Sequence, residues 1–228
     1  MTGFFGAALA IAKKDLRVEL RSKEIAFAMA FFAALVVVLC AFAFTREGKS
    51  PPLAAAGVLW IAVALSGTLG LQRAFDRERE GDTLRALLLA PSPRAAIFVG
   101  KLVGIVVLML ITEAVAAPLT GLLFGAPFAA HALGLSALLI LGTIGYATVG
   151  TLFAALLARS RGRDILLGIL LYPIIVPVLI AGARGSEALL AHPVDLDTAW
   201  FWARLLLVFD AVFLTVALWV FEPLVGTE

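Results

Sequence analysis

Charge is scarce in this chain. Asp, Glu, Lys and Arg make up 15% of its 228 residues, while 62% are hydrophobic. A water-soluble domain could not hide that much apolar surface, so a soluble fold is excluded and no nucleic-acid partner is expected. Cysteine and histidine are scarcer still. Cys40 is the only cysteine. It falls inside an apolar run, reads as a core thiol, and excludes an intramolecular disulfide framework. The two histidines, His131 and His192, lie in separate interhelical segments. With no Cys-x-x-Cys, no His-rich run and no nucleophile motif, neither catalytic residues nor a metal site are predicted. Gly100-Lys101 matches only the end of a phosphate-binding loop. Leu102 stands where Ser or Thr must hold magnesium, and Ala95 stands where the first glycine belongs. The chain is therefore not expected to hydrolyse ATP itself, and reads as a non-catalytic subunit.

Long apolar runs are abundant. Six are long enough to cross a bilayer, at about 25–44, 53–71, 95–117, 132–158, 165–183 and 201–221. The fold class is an all-α polytopic membrane protein, organised as one transmembrane domain over residues 1–228. Pro118 and Gly121 loosen the third run, so its tail to Gly125 is expected to form a separate half-helix. Gly142, Gly145 and Gly150 allow close helix approach in the fourth. They are a candidate face for a second copy, although packing within the chain could use them equally. Residues 184–199 are expected to be a loop, the longest on its side.

Residues 3–24 do not read as a signal peptide, because Lys13, Lys14, Arg17, Arg21 and Lys23 follow the apolar part. As a helix they put Phe5, Leu9, Ala12, Leu16 and Leu20 on one stripe and Lys14, Arg17 and Arg21 opposite. This pattern is an amphipathic helix lying in a lipid interface.

The stretch Gln72–Arg94, QRAFDREREGDTLRALLLAPSPR, is the longest polar interval between spans. Gln72–Glu80 is nearly all charge and Gly81 breaks it. Asp82 can cap a new helix. Leu84, Leu87 and Leu88 then share one face, and Pro91 and Pro93 stop the helix. This short amphipathic helix either lies on lipid headgroups or docks a cytosolic partner. On the second reading Asp76, Glu80, Gly81, Asp82, Leu84, Arg85, Leu87 and Leu88 form the docking site for that partner, which the family resemblance given below implies is an ATPase.

Cation distribution sets the orientation. Thirteen Lys and Arg fall before the first span, in 72–94 and in 159–163, and Lys101 is expected to snorkel to the same side. The other side holds only Arg46, Lys49, Arg184 and Arg204. Both termini and the Gln72–Arg94 stretch are expected in the cytosol.

Within the spans, Glu113 and Asp210 are intramembrane acids. Such groups mark a pathway or a paired site, or lie near an interface protonated or paired. Pro173 and Pro177 remove backbone donors from the fifth span, as a gating hinge or as a fixed kink. His192 could ligate haem iron, though an ordinary loop histidine beside Pro193 accounts for it as well.

Several words in this order resemble one family. They are GVLWIAVALSGTLGLQRAFDRE (57–78), TLRALLLAPSPR (83–94), GKL (100–102), YPIIVPVLIAG (172–182) and HPVD (192–195). Together with six spans and an interfacial helix, they resemble the CcmB family, the permease subunits of the cytochrome c maturation ABC transporter, over nearly the whole chain. Two departures fall on the coupling stretch. Asp82 follows Gly81 where the family usually has Ser or Thr, and Arg85 stands where an acid is frequent. The resemblance implies an ABC-2-like permease in the bacterial cytoplasmic (inner) membrane. It also implies an ATPase partner CcmA that binds ATP, membrane partners CcmC and CcmD, and release of the haem-loaded chaperone CcmE. Haem is the implied cargo, with no cofactor bound directly and the permease a homodimer. A generic ABC exporter permease for lipid, drug or polysaccharide shares the architecture.

Overall fold

The computed structural model describes residues 3–44, 53–80, 94–157, 160 and 162–224, with residues 76–80 and 222–224 as backbone only. Among these residues there are seven α-helices and no strand. They are α1 (Phe4–Ser22), α2 (Glu24–Phe44), α3 (Ala54–Glu80), α4 (Arg94–Phe124), α5 (Ala132–Leu157), α6 (Arg163–Leu190) and α7 (Leu196–Leu224). A single 3-10 turn, Phe128–His131, joins α4 to α5. Six segments are long and apolar enough to span a membrane: Glu24–Phe44, Ala54–Phe75, Arg94–Phe124, Phe128–Leu157, Arg163–Leu190 and Leu196–Phe221. The chain is a multi-pass helical membrane protein.

The core is built around α3. Trp60 is almost fully buried, and its indole lies where side chains would stand on Gly142 of α5 and Gly182 of α6. Its Nε1–H donates to the Ser186 hydroxyl at 3.1 Å. Further along α3, Leu71 fills the space over Gly150, and Tyr146 and Met109 press on Gly67. Gly70 receives Met29 of α2. Small residues on one helix thus admit large ones from the next, the usual solution where lipid supplies no hydrophobic drive for helix association. Gly142, Gly145 and Gly150 are all covered within the chain, by Trp60, Asp210 with Phe209, and Leu71 respectively. They do not form an open face for a second copy.

Three boundaries differ from the sequence reading, each for a physical reason. The third helix does not stop at Leu71 but runs on to Glu80, because Gln72–Glu80 holds good helix formers and the first breaker is Gly81. The expected half-helix after Pro118 is absent: α4 is continuous to Phe124, with Pro118 inside it. Gly121 gives room to the returning chain, whose Ala126 N–H donates to the Gly121 carbonyl at 3.0 Å. The expected loop 184–199 is mostly helix. Residues 184–190 extend α6, with Arg184 donating to Glu187 at 2.9 Å one turn away and Ser186 tied to Trp60. The linker shrinks to 191–195. Asp195 then caps α7 by accepting the Thr198 N–H at 3.0 Å. The Thr198 hydroxyl and N–H hold the Asp195 carboxyl below its ordinary range.

The Trp60 seat yields a test. Gly182→Leu should force the indole out and lower Tm by about 5–10 °C, the effect of roughly 2–3 kcal/mol of overpacking in a chain of this size. In detergent melting of the double variant, Trp60→Leu should relieve part of that loss. Additive losses would contradict the packing described.

Candidate functional site

The site begins where α3 leaves its apolar part. Asp76 and Glu80 lie on the polar extension of α3. Gly81, Asp82, Leu84, Arg85, Leu87 and Leu88 lie outside the described residues. The structure shows what flanks them: α3 up to Glu80, and α4 from Arg94. Beside these ends α1 lies against α4. Gly100 makes this approach possible, since a Cβ there would come within 2.8 Å of the Ala8 carbonyl oxygen and of Ile11.

Polar contacts then lock α1 in place. Lys101 Nζ donates to Asp15 Oδ2 at 2.6 Å, and Lys14 Nζ stands 3.1 Å from Asp15 Oδ1. Lys101 therefore does not snorkel as expected: its side chain is 10% exposed and lies beneath α1. A cation so placed needs a partner, because leaving it unpaired costs several kcal/mol. Glu19 fixes the other end of α1. It is buried, and its Oε1 accepts the Ala26 N–H at 2.8 Å, satisfying a free donor in the first turn of α2. Lys14, Asp15, Glu19, Phe75, Lys101 and Gly104 enclose a small cavity of ≈ 160 Å³ at this junction. The protein-facing side of α1 is Ala7, Ala8, Ile11, Ala12 and Glu19. Phe5, Leu9 and Leu20 of the predicted stripe face outward, as an interfacial helix requires if it touches both protein and lipid.

Deeper in the bundle, both tyrosines of the chain converge on Thr68. Its Oγ1 is 2.7 Å from the Tyr146 hydroxyl and 3.1 Å from the Tyr172 hydroxyl. Tyr146 also donates to the Ala64 carbonyl at 2.7 Å. Tyr172 immediately precedes Pro173, so this cluster ties the proline-bearing part of α6 to α3. Helix α6 is continuous through Pro173 and Pro177. Lower on α3, Gln72 donates to the Asp164 carbonyl at 3.2 Å, and the buried Arg163 reaches the Phe75 carbonyl at 3.5 Å.

The two intramembrane acids flank α5 without meeting each other in any hydrogen bond. Glu113 Oε1 accepts from the Thr143 hydroxyl, and its Oε2 has no hydrogen-bond partner among the described residues. Asp210 is buried against Gly145, and neither of its oxygens has such a partner. His192 Nδ1 lies 3.1 Å from the Leu190 carbonyl oxygen. It lines an open cavity of ≈ 830 Å³ with Arg184, Glu187, Asp195 and Trp202, on the side away from α1. The sequence reading missed Asp15, Glu19, Thr68 and Tyr146. A buried lysine in the third span was the one signal that a partner had to exist.

A family model described as CcmB protein matches residues 6–224. Heme exporter protein B of Rhodobacter capsulatus is 34% identical over 185 residues, covering 79% of this chain and 84% of that protein. Heme exporter protein B of Paracoccus denitrificans is 34% identical over 77% of this chain and 80% of its own length. The Pseudomonas aeruginosa protein of the same name is 28% identical over 79% and 80% respectively. A six-span bundle with this order of motifs, matched by the family model over nearly its whole length, belongs to the CcmB family of haem exporter permeases.

Proposed function

We propose that this chain is the membrane subunit through which a separate ATPase acts in c-type cytochrome biogenesis. The observation that carries the reading is the junction of α1, α3 and α4. The polar extension of α3 and the start of α4 hold the stretch 81–93 at both ends, and α1 is clamped to α4 beside it. A displacement of that stretch would reach two spans and the interfacial helix at once. The partner is an ATP-binding subunit of the CcmA kind, docked on Leu84, Leu87 and Leu88, with Asp76, Glu80, Asp82 and Arg85 around them. CcmC, CcmD and the haem chaperone CcmE complete the assembly, and the outcome is release of loaded chaperone on the far side. Haem is the cargo class that the relatives' names indicate.

The membrane is the bacterial inner membrane, and both termini face the cytosol. The cation asymmetry supports this, as does an even number of spans. Two copies pair on two ATPases by closed two-fold symmetry. The sparsely covered faces of α2 and α7 are available for that contact or for lipid. Pro173 and Pro177, which remove backbone donors from α6 next to the Tyr172–Thr68 contact, serve as the hinge.

Leu88→Asp tests docking. It should leave membrane insertion intact and abolish co-purification of the ATPase, because burying an unpaired carboxylate costs more than a modest interface supplies. Wild-type yields of ATPase with both Leu84→Asp and Leu88→Asp would overturn the reading in favour of a helix lying on headgroups.

Orientation is checked separately by reporter fusions. Those at Ser92 and Ser160 should report the cytosol, and those at Pro127 and His192 the far side.

Lys101→Met tests the clamp. It removes the buried partner of Asp15 and leaves only the more exposed Lys14, so the loss falls between an exposed ion pair worth roughly 0–1 kcal/mol and a buried one whose breakage costs roughly 3–5. The ATPase should still co-purify while cytochrome c maturation falls. The exchange Asp15→Lys with Lys101→Asp should restore part of it. Full maturation in Lys101→Met would show that the clamp carries no coupling.

A further inference from the structure

We propose that the outward side of α1 is a binding surface for phospholipid headgroups of net negative charge. Helix α1 turns different faces to different surroundings. Ala7, Ala8, Ile11 and Ala12 are buried against the protein, and Asp15 and Glu19 continue that side. Phe5, Leu9 and Leu20 are 84%, 55% and 71% exposed. At about 100° per residue they share one sector of the helix surface. Lys13, Arg17 and Arg21 are exposed as well. They stand four residues apart, roughly 6 Å from one to the next, in a row directly beside the apolar one. The acids of α1 do not balance this row. The helix carries two, Asp15 and Glu19. Asp15 is held by Lys101 at 2.6 Å and by Lys14 at 3.1 Å, and Glu19 is buried with its Oε1 on the Ala26 N–H. Glu24, the next exposed acid along the chain, stands 3.9 Å from Arg73. Lys13, Arg17 and Arg21 make no ion pair with another described residue. Toward the protein, Lys14 and Lys101 cancel Asp15 and Glu19. Away from it, α1 is purely cationic.

The two outward rows together identify the occupant. Three large apolar side chains avoid water and three charges avoid hydrocarbon, so α1 rests where the two meet, at the level of the headgroups. A free phosphate or an acidic protein surface would match the cations and leave Phe5, Leu9 and Leu20 in water. A zwitterionic lipid would cover the apolar row, but its own amine cancels the charge of its phosphate. A lipid of net negative charge meets both demands. Its phosphate oxygens accept charge-assisted hydrogen bonds from Lys13, Arg17 and Arg21, and its acyl chains cover the apolar row. This surface lies on a different side of α1 from the Lys101 contact, and the inference does not rest on ATPase docking.

The test uses the full chain in nanodiscs, alone and assembled with its partner subunits. A bimane fluorophore is attached through Ala10→Cys, among the three cations, in a Cys40→Ala background. Phosphatidylglycerol or phosphatidylcholine, each with a nitroxide high on its acyl chain, quenches the fluorophore according to how often it occupies the site. Phosphatidylglycerol should be preferred about tenfold, and the preference should shrink as salt is raised. The triple variant Lys13→Gln, Arg17→Gln, Arg21→Gln should bring the two lipids to parity. The double variant Arg17→Lys, Arg21→Lys should keep the preference. Neither set should lower Tm, since the inward contacts of α1 are untouched. Equal quenching by the two lipids in the native chain, or a preference that survives the triple variant, would make the row a solvated face and overturn the proposal. A preference that disappears on assembly with the partner subunits would assign the row to a protein and equally overturn it.

Discussion

Everything in this bundle depends on how deeply α3 is seated. Trp60 occupies the space over two glycines on different helices, Gly142 and Gly182, and donates its one proton to Ser186. That contact draws α5 and α6 against α3 at one level. Leu71 over Gly150 and Met29 against Gly70 repeat the device lower down, on adjacent faces of the same helix. An apolar span gains little from burial alone in lipid, so such close steric fits and a few hydrogen bonds must hold the helices together. Because α3 is fixed along its apolar length, its charged extension to Glu80 leaves the bundle in a defined direction. It carries the chain up to the start of the proposed coupling stretch.

The second constraint is electrostatic. Lys101 is a cation within a span, and it stays there because α1 supplies Asp15. The same helix supplies Glu19 to the first turn of α2. An interfacial helix that could have been a loose float is instead bolted to two spans, at its middle and at its end. The part of the protein nearest the proposed ATPase thus combines a long rigid helix, a second helix that resumes after the coupling stretch, and a strap across the second. The Thr68 cluster continues this connection to α6, where Tyr172 adjoins Pro173.

Much of this was legible in the residues. The apolar runs placed six spans, and the stripe within residues 3–24 marked α1 as a helix. The order of the motif words pointed to the family that the comparisons bear out. The errors share a cause. Proline and glycine were read as breakers at Pro118 and Gly121, yet in a bilayer neighbouring helices hold such a segment helical. The end of α6 was hidden because Arg184–Leu190 looks polar and broken, and the Trp60–Ser186 and Arg184–Glu187 contacts that accompany its helical form are not visible in the sequence pattern. Lys101 was read as snorkelling because a sequence shows a cation near a membrane boundary but not the carboxylate that packs over it. Glu19 carried no signal in the sequence. Its partner, a backbone N–H seven residues on, leaves no mark in side-chain periodicity.

The proposed function requires α1 and α4 to move as one body when an ATPase acts on the stretch between α3 and α4. Spin labels at Arg17 on α1 and Val103 on α4, in a Cys40→Ala background, would test it by pulsed electron resonance on the assembled complex. With the labelled chain diluted by unlabelled copies, so that one copy per complex carries both labels, the distance distribution should be single and narrow, unchanged between nucleotide-free and ATP-loaded states, and should broaden when Lys101 is replaced by Met. A distance that shifts with nucleotide while Lys101 and Asp15 are intact would contradict it.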